Sequence, residues 1–458
     1  MIPDNTLSQI EAIVGSQYLK VDKAQIREFG SDGTKLHAMP DAVAIPGSAE
    51  EISSILSLAT RERFAVVVRG AGSGMSGGAV PTHGGLVLSM DRFNKILEID
   101  KENMTATVEA GVITAKLKDA AAREGLLYPP DPASIKISSI GGNLAECAGG
   151  LRAVKYGVTR DYVLGLKVVL PTGEILSTGV HTMKGVAGYD LTRLIVGSEG
   201  TLAVIVSAVL RLVPMPEATQ TMIAFFPNVA ASTRAVTRIL SSGIVPAVLE
   251  LVDGLCLSLI REEIQVSVPQ ASGAMLLIEV DGDKESVSGS VKGVQEQCEA
   301  EGCTGFIAAD SDQESQLLWE ARRNISPSLY KLRPHKVSED IVVPRTKLPE
   351  MIQFLEELSQ AHGIPIPVFG HAGDGNLHVN IMLDNDDPQE VSKAHHVVSR
   401  IFAKVLELGG TITGEHGVGI TKRSYLHMEI PYAGLSLMRR IKAAFDPAGI
   451  LNPGKIFP

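Results

Sequence analysis

Hydrophobic and polar positions follow two different patterns on either side of residue 215. Before it, short apolar runs alternate with glycine-rich loops, and Ala65 to Val68 is typical because it is apolar and mostly β-branched. A long strand is predicted from Leu202 toward Leu212, and the following Pro214 and Pro216 mark a domain boundary. Three helices are predicted in this part, at residues 6–14, 48–63 and 114–124. The second begins at Ser48, which with Glu51 three residues later predicts a capping box.

Beyond the boundary the apolar segments alternate strand with helix. Two strand–helix–strand units are predicted, one at residues 219–226, 230–240 and 247–252 and one at residues 274–280, 285–300 and 305–308. Paired units of this kind predict an antiparallel sheet with helices on one face. Further helices are predicted around two polar loops, at residues 348–361, 388–408 and 433–444. The predicted fold class is α+β, with two domains at residues 1–215 and 216–430 and a C-terminal helical segment at 431–458.

The loop from Gly70 to Gly78 holds five glycines in nine residues. Without Cβ atoms, such a loop can turn its backbone N–H groups toward a diphosphate at close range. The spacing Gly72-x-Gly74-x-x-Gly77 also matches the dinucleotide-binding fingerprint. That fingerprint requires a crossover of about a dozen residues or more, usually a helix, but the chain returns to a strand at residues 86–90. We therefore reject a Rossmann fold and retain a phosphate-binding loop, with a flexible surface loop as the alternative.

Composition restricts the class of protein. A net charge of -10 and a pI near 5.6 argue against a nucleic-acid partner. No segment approaches about 18 uninterrupted apolar residues, so no transmembrane segment is expected. Residues 1–5 lack the basic and apolar regions of a signal peptide. We expect a cytoplasmic protein, with any attachment to the inner face of the membrane made through a partner.

The cysteines give a useful negative result. Cys147, Cys256, Cys298 and Cys303 form no CxxC pair and no cluster-binding run. The sequence therefore predicts neither an iron–sulfur centre nor a disulfide, and ordinary packing is expected for the thiols.

A second informative stretch joins two short strands predicted at Pro367–Gly370 and Leu377–Leu383. Because side chains alternate across a strand, His378 and Asn380 share one face. His371, at the end of the first strand, can then approach His378 across the hairpin. Two converging imidazoles are suited to binding a metal.

A third polar loop, Thr413–Gly419, presents Glu415 and His416 between glycines. A lone histidine is usually a structural residue, which is our interpretation of His37, His83, His181, His395 and His427. His371, His378 and His416 differ because they lie in glycine-framed loops with an acid and an amide beside them. These residues alone leave the structural and the metal-binding interpretations open.

Several segments taken together resemble the FAD domain of the p-cresol methylhydroxylase and vanillyl-alcohol oxidase superfamily. The matching segments are Arg69–Gly74, Tyr128–Pro132, Gly141–Asn143, Tyr156–Gly157 and Gly197–Thr201. Within it, residues 41–454 resemble the FAD-linked D-2-hydroxyacid dehydrogenases, which include D-lactate dehydrogenases, the flavin subunit of glycolate oxidase and D-2-hydroxyglutarate dehydrogenases. The resemblance implies a two-part FAD-binding domain of p-cresol methylhydroxylase type at 1–215 and a substrate (cap) domain with a metal site at 216–430. It also implies a tail at 431–458 that packs back on the FAD domain.

The same resemblance assigns site residues. FAD would be held by backbone amides of the glycine loop, and the lack of a histidine in that loop implies non-covalent flavin. The residues expected to contact FAD are Arg69, Gly70, Ala71, Gly72, Ser73, Gly74, Met75, Ser76, Pro130, Asp131, Ser134, Ser139, Gly142, Asn143, Ala145, Gly149, Gly150, Tyr156, Glu199, Gly200, Thr201 and Asn452. A divalent metal would be bound by His371, His378 and Glu415, with zinc expected and iron or manganese as alternatives.

Oxidation of a 2-hydroxyacid requires removal of the hydroxyl proton while a hydride leaves C2 for flavin N5. A metal chelated by the substrate would lower the pKa of the alcohol, and the resemblance makes His416 the base that accepts the proton. Asn380 is expected to hydrogen-bond the substrate oxygens, and Arg322, which matches the family's substrate arginine, to bind the carboxylate. Lys336 would be a second cation facing a dicarboxylate, although its spacing does not match the hydroxyglutarate enzymes cleanly.

The predicted function is the oxidation of a small D-2-hydroxyacid to the 2-oxoacid, with D-lactate or glycolate favoured over D-2-hydroxyglutarate. Electrons would pass to an electron-transferring flavoprotein, an iron–sulfur subunit or a quinone. The alternatives are a flavin-dependent transferase, a subunit that only relays electrons, and a zinc hydrolase without flavin. The sequence leaves open the acid, the metal, the acceptor and whether the protein is a homodimer.

Overall fold

The computed structural model describes all 458 residues, and packing divides them into two compact units. The first unit contains Met1–Gly149, Val158–Met215 and Glu415–Pro458, and the second contains Gly150–Gly157 and Pro216–Gly414. The change of unit after Met215 lies at the proline pair that marks the boundary in the sequence. Two segments belong to a different unit from the one that the predicted boundaries give them. Residues 150–157 pack with the second unit, and residues 415–430 pack with the first. The three functional domains proposed from the sequence stay a prediction.

The first unit is built on two main sheets. The four-stranded sheet has the order Leu19–Lys20, Ala42–Ala44, Leu86–Ser89 and Val66–Arg69. Its last three strands are parallel, and the first pairs antiparallel with its neighbour. The five-stranded antiparallel sheet has the order Ile96–Asp100, Thr105–Glu109, Val204–Arg211, Val163–Val169 and Ile175–Gly179. A short ribbon pairs Leu126–Leu127 with Val213–Pro214.

The α-helices of the first unit are Asp4–Val14, Lys23–Ile26, Ala49–Glu62, Thr114–Arg123, Ile140–Glu146, Leu191–Ile195, Leu426–Glu429 and Tyr432–Phe445. Four of them begin at a capping side chain, that of Asp22, Ser48, Ser139 or Asp190, and the other four have no side-chain cap. The Ser48 hydroxyl accepts the N–H of Glu51 at 3.1 Å and so caps Ala49–Glu62 as predicted. The Glu51 carboxylate accepts the N–H of Gly47 at 2.7 Å. Its partner is thus the residue that precedes Ser48, whereas a capping box uses the N–H of the cap residue itself.

The glycine loop connects the parallel neighbours Val66–Arg69 and Leu86–Ser89 without any helix between them. The rejection of a Rossmann crossover is therefore confirmed. The C-terminal chain runs beside the first of these strands, where the Asn452 N–H donates to the Val66 carbonyl at 2.8 Å. The C-terminal residues thus close one side of the strand that leads into the glycine loop.

The second unit contains a seven-stranded sheet in which every pairing is antiparallel. Its strand order is Gly305–Ala308, Ala218–Phe226, Ala274–Gly282, Val248–Val252, Val368–His371, Asn376–Leu383 and His335–Val342. Its helices are Ala153–Tyr156, Val229–Ser241, Gly254–Ile260, Lys284–Ala300, Asp312–Arg323, Ile325–Ser328, Leu348–His362 and Pro388–Glu407. The predicted α+β class with an antiparallel sheet in the second part is confirmed. No helix of the chain is both long enough and apolar enough to span a membrane.

Helices cover both faces of this sheet, whereas the sequence predicted one face. Leu257 and Leu318 pack with Phe225 and Met275 in a buried cluster on one face. The helices Val229–Ser241 and Lys284–Ala300 also contact the strands, but none of their residues belongs to that cluster. These two helices therefore cover the opposite face. The physical reason is that the central strands are apolar on both sides, which calls for cover on both faces.

Candidate functional site

The first unit encloses a cavity of about 410 Å³, which is within the range of small-molecule sites. Three segments, within residues 70–79, 132–149 and 199–205, form most of its wall, and Asn452, Glu415 and His416 also line it. Glycine and alanine dominate this wall, so a ligand inside it can approach the backbone closely.

The glycine loop fits tightly against the helix Ile140–Glu146. A Cβ added to Gly70 would lie 2.2 Å from Oγ of Ser139, the residue that caps this helix. Gly72 has a φ of +68°, a left-handed conformation that favours glycine. These positions require glycine for close approach and for the turn.

Most residues predicted to contact FAD surround the cavity. The residues on its wall are Gly70, Ala71, Gly72, Ser73, Gly74, Met75, Ser134, Ser139, Gly142, Asn143, Ala145, Gly149, Glu199, Gly200 and Asn452. The structure does not place Arg69, Ser76, Pro130, Asp131, Gly150, Tyr156 or Thr201 on it.

Several of the residues off the wall have partners elsewhere. Asp131 pairs with Lys118 at 2.8 Å, and the Arg69 guanidinium donates to a backbone carbonyl at 2.5 Å. The Tyr156 hydroxyl belongs to the second unit and donates to Asp281 at 2.8 Å. Their role in cofactor binding stays a prediction.

The cavity wall carries buried polar atoms that have no hydrogen-bond partner in the protein. Oε2 of Glu146 and Oδ1 of Asn452 are two of them. Burial raises the pKa of Glu146 well above its ordinary value, and the neighbouring Glu199 raises it further. A long polar ligand such as FAD fits this wall because it would bring hydrogen-bonding groups to these atoms. Glu146 was not predicted as a site residue.

Glu199 holds the loop that carries His416. Its carboxylate accepts the N–H groups of Val418 at 2.8 Å and Gly419 at 2.6 Å. Burial raises the pKa of Glu199, while these two hydrogen bonds act in the opposite direction. The loop with the predicted base is thus fixed to the wall of the cavity.

In the second unit, the predicted hairpin brings His371 and His378 together. Their ring centroids are 5.1 Å apart and the rings are nearly perpendicular, at 88°. Phe369 and His378 are paired across neighbouring strands, so their side chains share one face of the sheet. His371 lies two residues after Phe369 on the same strand and therefore points to the same face.

Glu250 connects this pair to the predicted substrate arginine. One oxygen of the Glu250 carboxylate is hydrogen-bonded to Nδ1 of His371, and the other accepts from Nε and Nη2 of Arg322, each at 2.7 Å. Burial alone raises the pKa of Glu250, but the charges of His371 and Arg322 and their hydrogen bonds lower it to about 2. Sequence reasoning missed Glu250, although a single acid within the apolar strand Val248–Val252 is a signal that could have found it.

Asp340 anchors the chain that leads to Glu415. Its carboxylate accepts the Thr413 hydroxyl at 3.1 Å and the Gly414 N–H at 2.9 Å. Asp340 is also the register partner of His378. Asp340 therefore fixes the two residues that precede Glu415 in the chain.

The other predicted substrate residues are held by the protein. The Asn380 amide accepts the Ser338 hydroxyl at 3.0 Å and donates to the His378 carbonyl at 3.1 Å. Nζ of Lys336 donates to the Ser326 hydroxyl at 3.0 Å. Contact of either residue with a substrate stays a prediction.

Comparison with known proteins agrees with this architecture. Residues 40–179 match the family model for an FAD binding domain, and residues 215–456 match the C-terminal domain of FAD linked oxidases. The chain is 44% identical to the glycolate oxidase subunit GlcD of Bacillus subtilis, over 100% of this chain and 97% of that protein. It is 34% identical to a D-lactate dehydrogenase of Anaerostipes hadrus, over 92% of this chain and 90% of that protein.

The fold has a counterpart among solved structures. The structure of p-cresol methylhydroxylase with substrate bound superposes with a TM-score of 0.80 at 17% identity, covering 99% of this chain and 96% of that one. The family resemblance and the fold predicted from the sequence are thereby confirmed. The chain belongs to the FAD-linked oxidases, with the glycolate oxidase subunit GlcD and D-lactate dehydrogenase among its relatives, and is an FAD-linked oxidoreductase.

Proposed function

We propose that this protein oxidises a small D-2-hydroxyacid, D-lactate or glycolate, to the 2-oxoacid with non-covalent FAD and a divalent metal. The observation that carries the proposal is the buried carboxylate of Glu250, which binds both the His371 imidazole and the Arg322 guanidinium, with the His378 ring beside that of His371. Such a set supplies ligands for a cation and a partner for a substrate carboxylate. The names of the relatives, a glycolate oxidase subunit and a D-lactate dehydrogenase, agree with this substrate class.

The glycine-rich wall of the cavity would hold FAD through backbone N–H groups of residues 70–75 and through the segment at 139–149. FAD, when bound, supplies the acceptor for the two electrons released at C2 of the substrate. The protein contributes placement, because the cavity has few side chains that would obstruct a dinucleotide.

The metal would be held by His371, His378 and Glu415. Two histidines and one carboxylate are a donor set found at catalytic zinc and non-haem iron sites, so zinc is expected and iron or manganese are alternatives. The ion, when bound, supplies Lewis-acid polarisation of a substrate oxygen.

His416 and Arg322 carry the steps that belong to the protein itself. His416 lies on the wall of the cavity, where its imidazole would accept the proton of the substrate hydroxyl. The Arg322 guanidinium would bind the substrate carboxylate. Asn380 would support the substrate oxygens. D-2-hydroxyglutarate is the alternative substrate, and Lys336, which donates to the Ser326 hydroxyl at 3.0 Å, is the cation suggested for its second carboxylate.

The electron acceptor would be a separate protein or a quinone. The relative from Bacillus subtilis is named as a subunit, which agrees with transfer to a partner chain. The four cysteines give no cluster-binding run that would let the chain pass electrons to a centre of its own.

Anaerobic titration of the FAD-loaded protein with D- and L-hydroxyacids tests the proposal. D-lactate or glycolate should bleach the flavin absorbance, and a chelator should slow bleaching until Zn²⁺ or Mn²⁺ is restored. Bleaching that is unaffected by complete removal of metal would refute the metal role. A protein that only relays electrons would show no bleaching by any acid, and a zinc hydrolase would bind no flavin.

A further inference from the structure

We infer that Glu250 is the positioning residue that joins metal binding to substrate-carboxylate binding, acting through His371 on one side and Arg322 on the other. The inference rests on the proposed function, because it concerns the same site. It adds a residue that neither the sequence motifs nor the family resemblance assigns, and it makes metal affinity and substrate affinity depend on one carboxylate.

The position of Glu250 in the sheet explains why it can reach both partners. It lies in the middle of Val248–Val252, and its register partner on the adjacent strand is His371. Residues paired in this way point to the same face of a sheet and have neighbouring side chains. Arg322 approaches this face from the helix Asp312–Arg323.

Both carboxylate oxygens of Glu250 are in use. One is bonded to Nδ1 of His371, and the other receives Nε and Nη2 of Arg322. The side chain is 0% exposed, so water cannot replace either partner. A buried carboxylate that binds an imidazole with one oxygen and a guanidinium with the other is a specific arrangement that a neutral side chain of the same size cannot reproduce.

On the histidine side, Glu250 selects a tautomer. A carboxylate beside Nδ1 keeps the proton of the imidazole on that nitrogen, so that the ring would bind a metal through Nε2. Carboxylates in this position also make the imidazole a stronger ligand, and losing one typically costs about 10- to 100-fold in metal affinity.

On the arginine side, Glu250 fixes the plane of the guanidinium. The Nε–Nη2 edge is bound to the carboxylate, and the group lies over the Phe369 ring at 4.5 Å from its centroid. A substrate carboxylate would therefore bind at the remaining edge, through Nη1. The Glu250 charge also offsets the repulsion between Arg322 and a divalent ion held by the nearby histidine.

Glu250→Gln tests this inference, because a Gln side chain has one acceptor oxygen and must turn its NH₂ group toward the other donor. In the FAD-loaded protein we expect the dissociation constant for Zn²⁺, measured by competition with a chelator, to rise about 10- to 100-fold. We also expect a higher KM for D-lactate and weaker binding of pyruvate, measured from the change in flavin absorbance.

Glu279→Gln is the matched control. Glu279 is another buried carboxylate of the same sheet face, and its partners are Arg152 at 2.5 Å, the Trp319 indole at 3.2 Å and the Thr221 hydroxyl at 3.4 Å. This variant should lose stability but keep Zn²⁺ affinity within about twofold of the wild type. An equal loss of metal affinity in both variants would overturn the inference.

Glu250→Asp serves as the conservative variant and as the fallback if Glu250→Gln does not fold. It keeps the charge but shortens the reach by one methylene, so Zn²⁺ affinity should lie between those of the wild type and Glu250→Gln. Wild-type metal affinity and KM in Glu250→Gln, or in Glu250→Asp when only that variant folds, would overturn the inference and leave the proposed function intact. A wild-type protein that shows no metal-dependent oxidation would instead refute the proposed function.

Discussion

The cavity of the first unit is formed largely by backbone, whereas the polar site of the second unit is formed by side chains on a sheet. Around the cavity, glycine and alanine leave backbone N–H groups accessible, and Gly70 lies close against Ser139. In the second unit, Glu250 and His371 meet on neighbouring strands and Arg322 comes from a helix.

This difference shows two ways of making a site specific. The wall formed by the glycine loop and its neighbours, called here the backbone cradle, depends on the absence of side chains. A single added methyl group can therefore close it. A side-chain network depends on each polar partner, so removing one leaves the others buried and unsatisfied. The first kind should be sensitive to steric changes and the second to changes of charge or hydrogen bonding.

The largest expected effect comes from breaking the side-chain network at His378. His378→Ala should reduce kcat/KM for D-lactate by about 10²-fold or more, because the Lewis-acid contribution of a metal is several kcal/mol. Flavin absorbance and FAD content should stay at wild-type values, since the backbone cradle of the first unit is unchanged.

His395→Ala is the control for this prediction. His395 is exposed on the helix Pro388–Glu407 and is interpreted as structural, so steady-state kinetics should not change. If His378→Ala retained both bound metal and activity, the imidazole pair would have no role in the reaction.

A smaller effect is expected from closing the cradle with Gly70→Ala. The added Cβ would lie 2.2 Å from Oγ of Ser139, and overpacking of this kind costs about 1–3 kcal/mol. The apoprotein can move the loop away from Ser139, whereas the FAD-bound state needs the loop in place, so the dissociation constant for FAD should rise about 5- to 150-fold. Fluorescence titration of the apoprotein with FAD measures it.

Gly289→Ala gives the matched change elsewhere, because a Cβ added there meets nothing within 4 Å. It lies within the helix Lys284–Ala300 of the second unit and should leave FAD affinity unchanged. Equal FAD affinity in the Gly70 variant and the wild type would show that the loop is not a cradle for this cofactor.

The same contrast explains what the sequence could predict. The glycine loop, the Ser48 cap and the His371–His378 hairpin are encoded by residues close together in the chain, so their patterns predict local geometry. Glu250 meets Arg322 across 72 positions and His371 across 121, and only the strand order of the folded sheet brings them together. The helix Ile140–Glu146 was also not predicted, because its paired glycines weaken the helical pattern and its Ser139 cap is the main signal that remains.

The smallest expected effect concerns a local signal that has no part in either site. Ser48→Ala removes the hydroxyl that caps Ala49–Glu62 and should lower the free energy of unfolding by about 0.5–2 kcal/mol. Release of bound FAD during urea titration reports on the unit that contains this helix. Ser54→Ala is the control, since Ser54 lies inside the same helix and its hydroxyl bonds only to the Glu50 carbonyl at 2.9 Å. An equal shift of the unfolding free energy in both variants would mean that the cap contributes no more than any exposed serine of the helix. FAD affinity and kcat should stay unchanged in Ser48→Ala, because the cap contributes to the stability of the fold and to neither site.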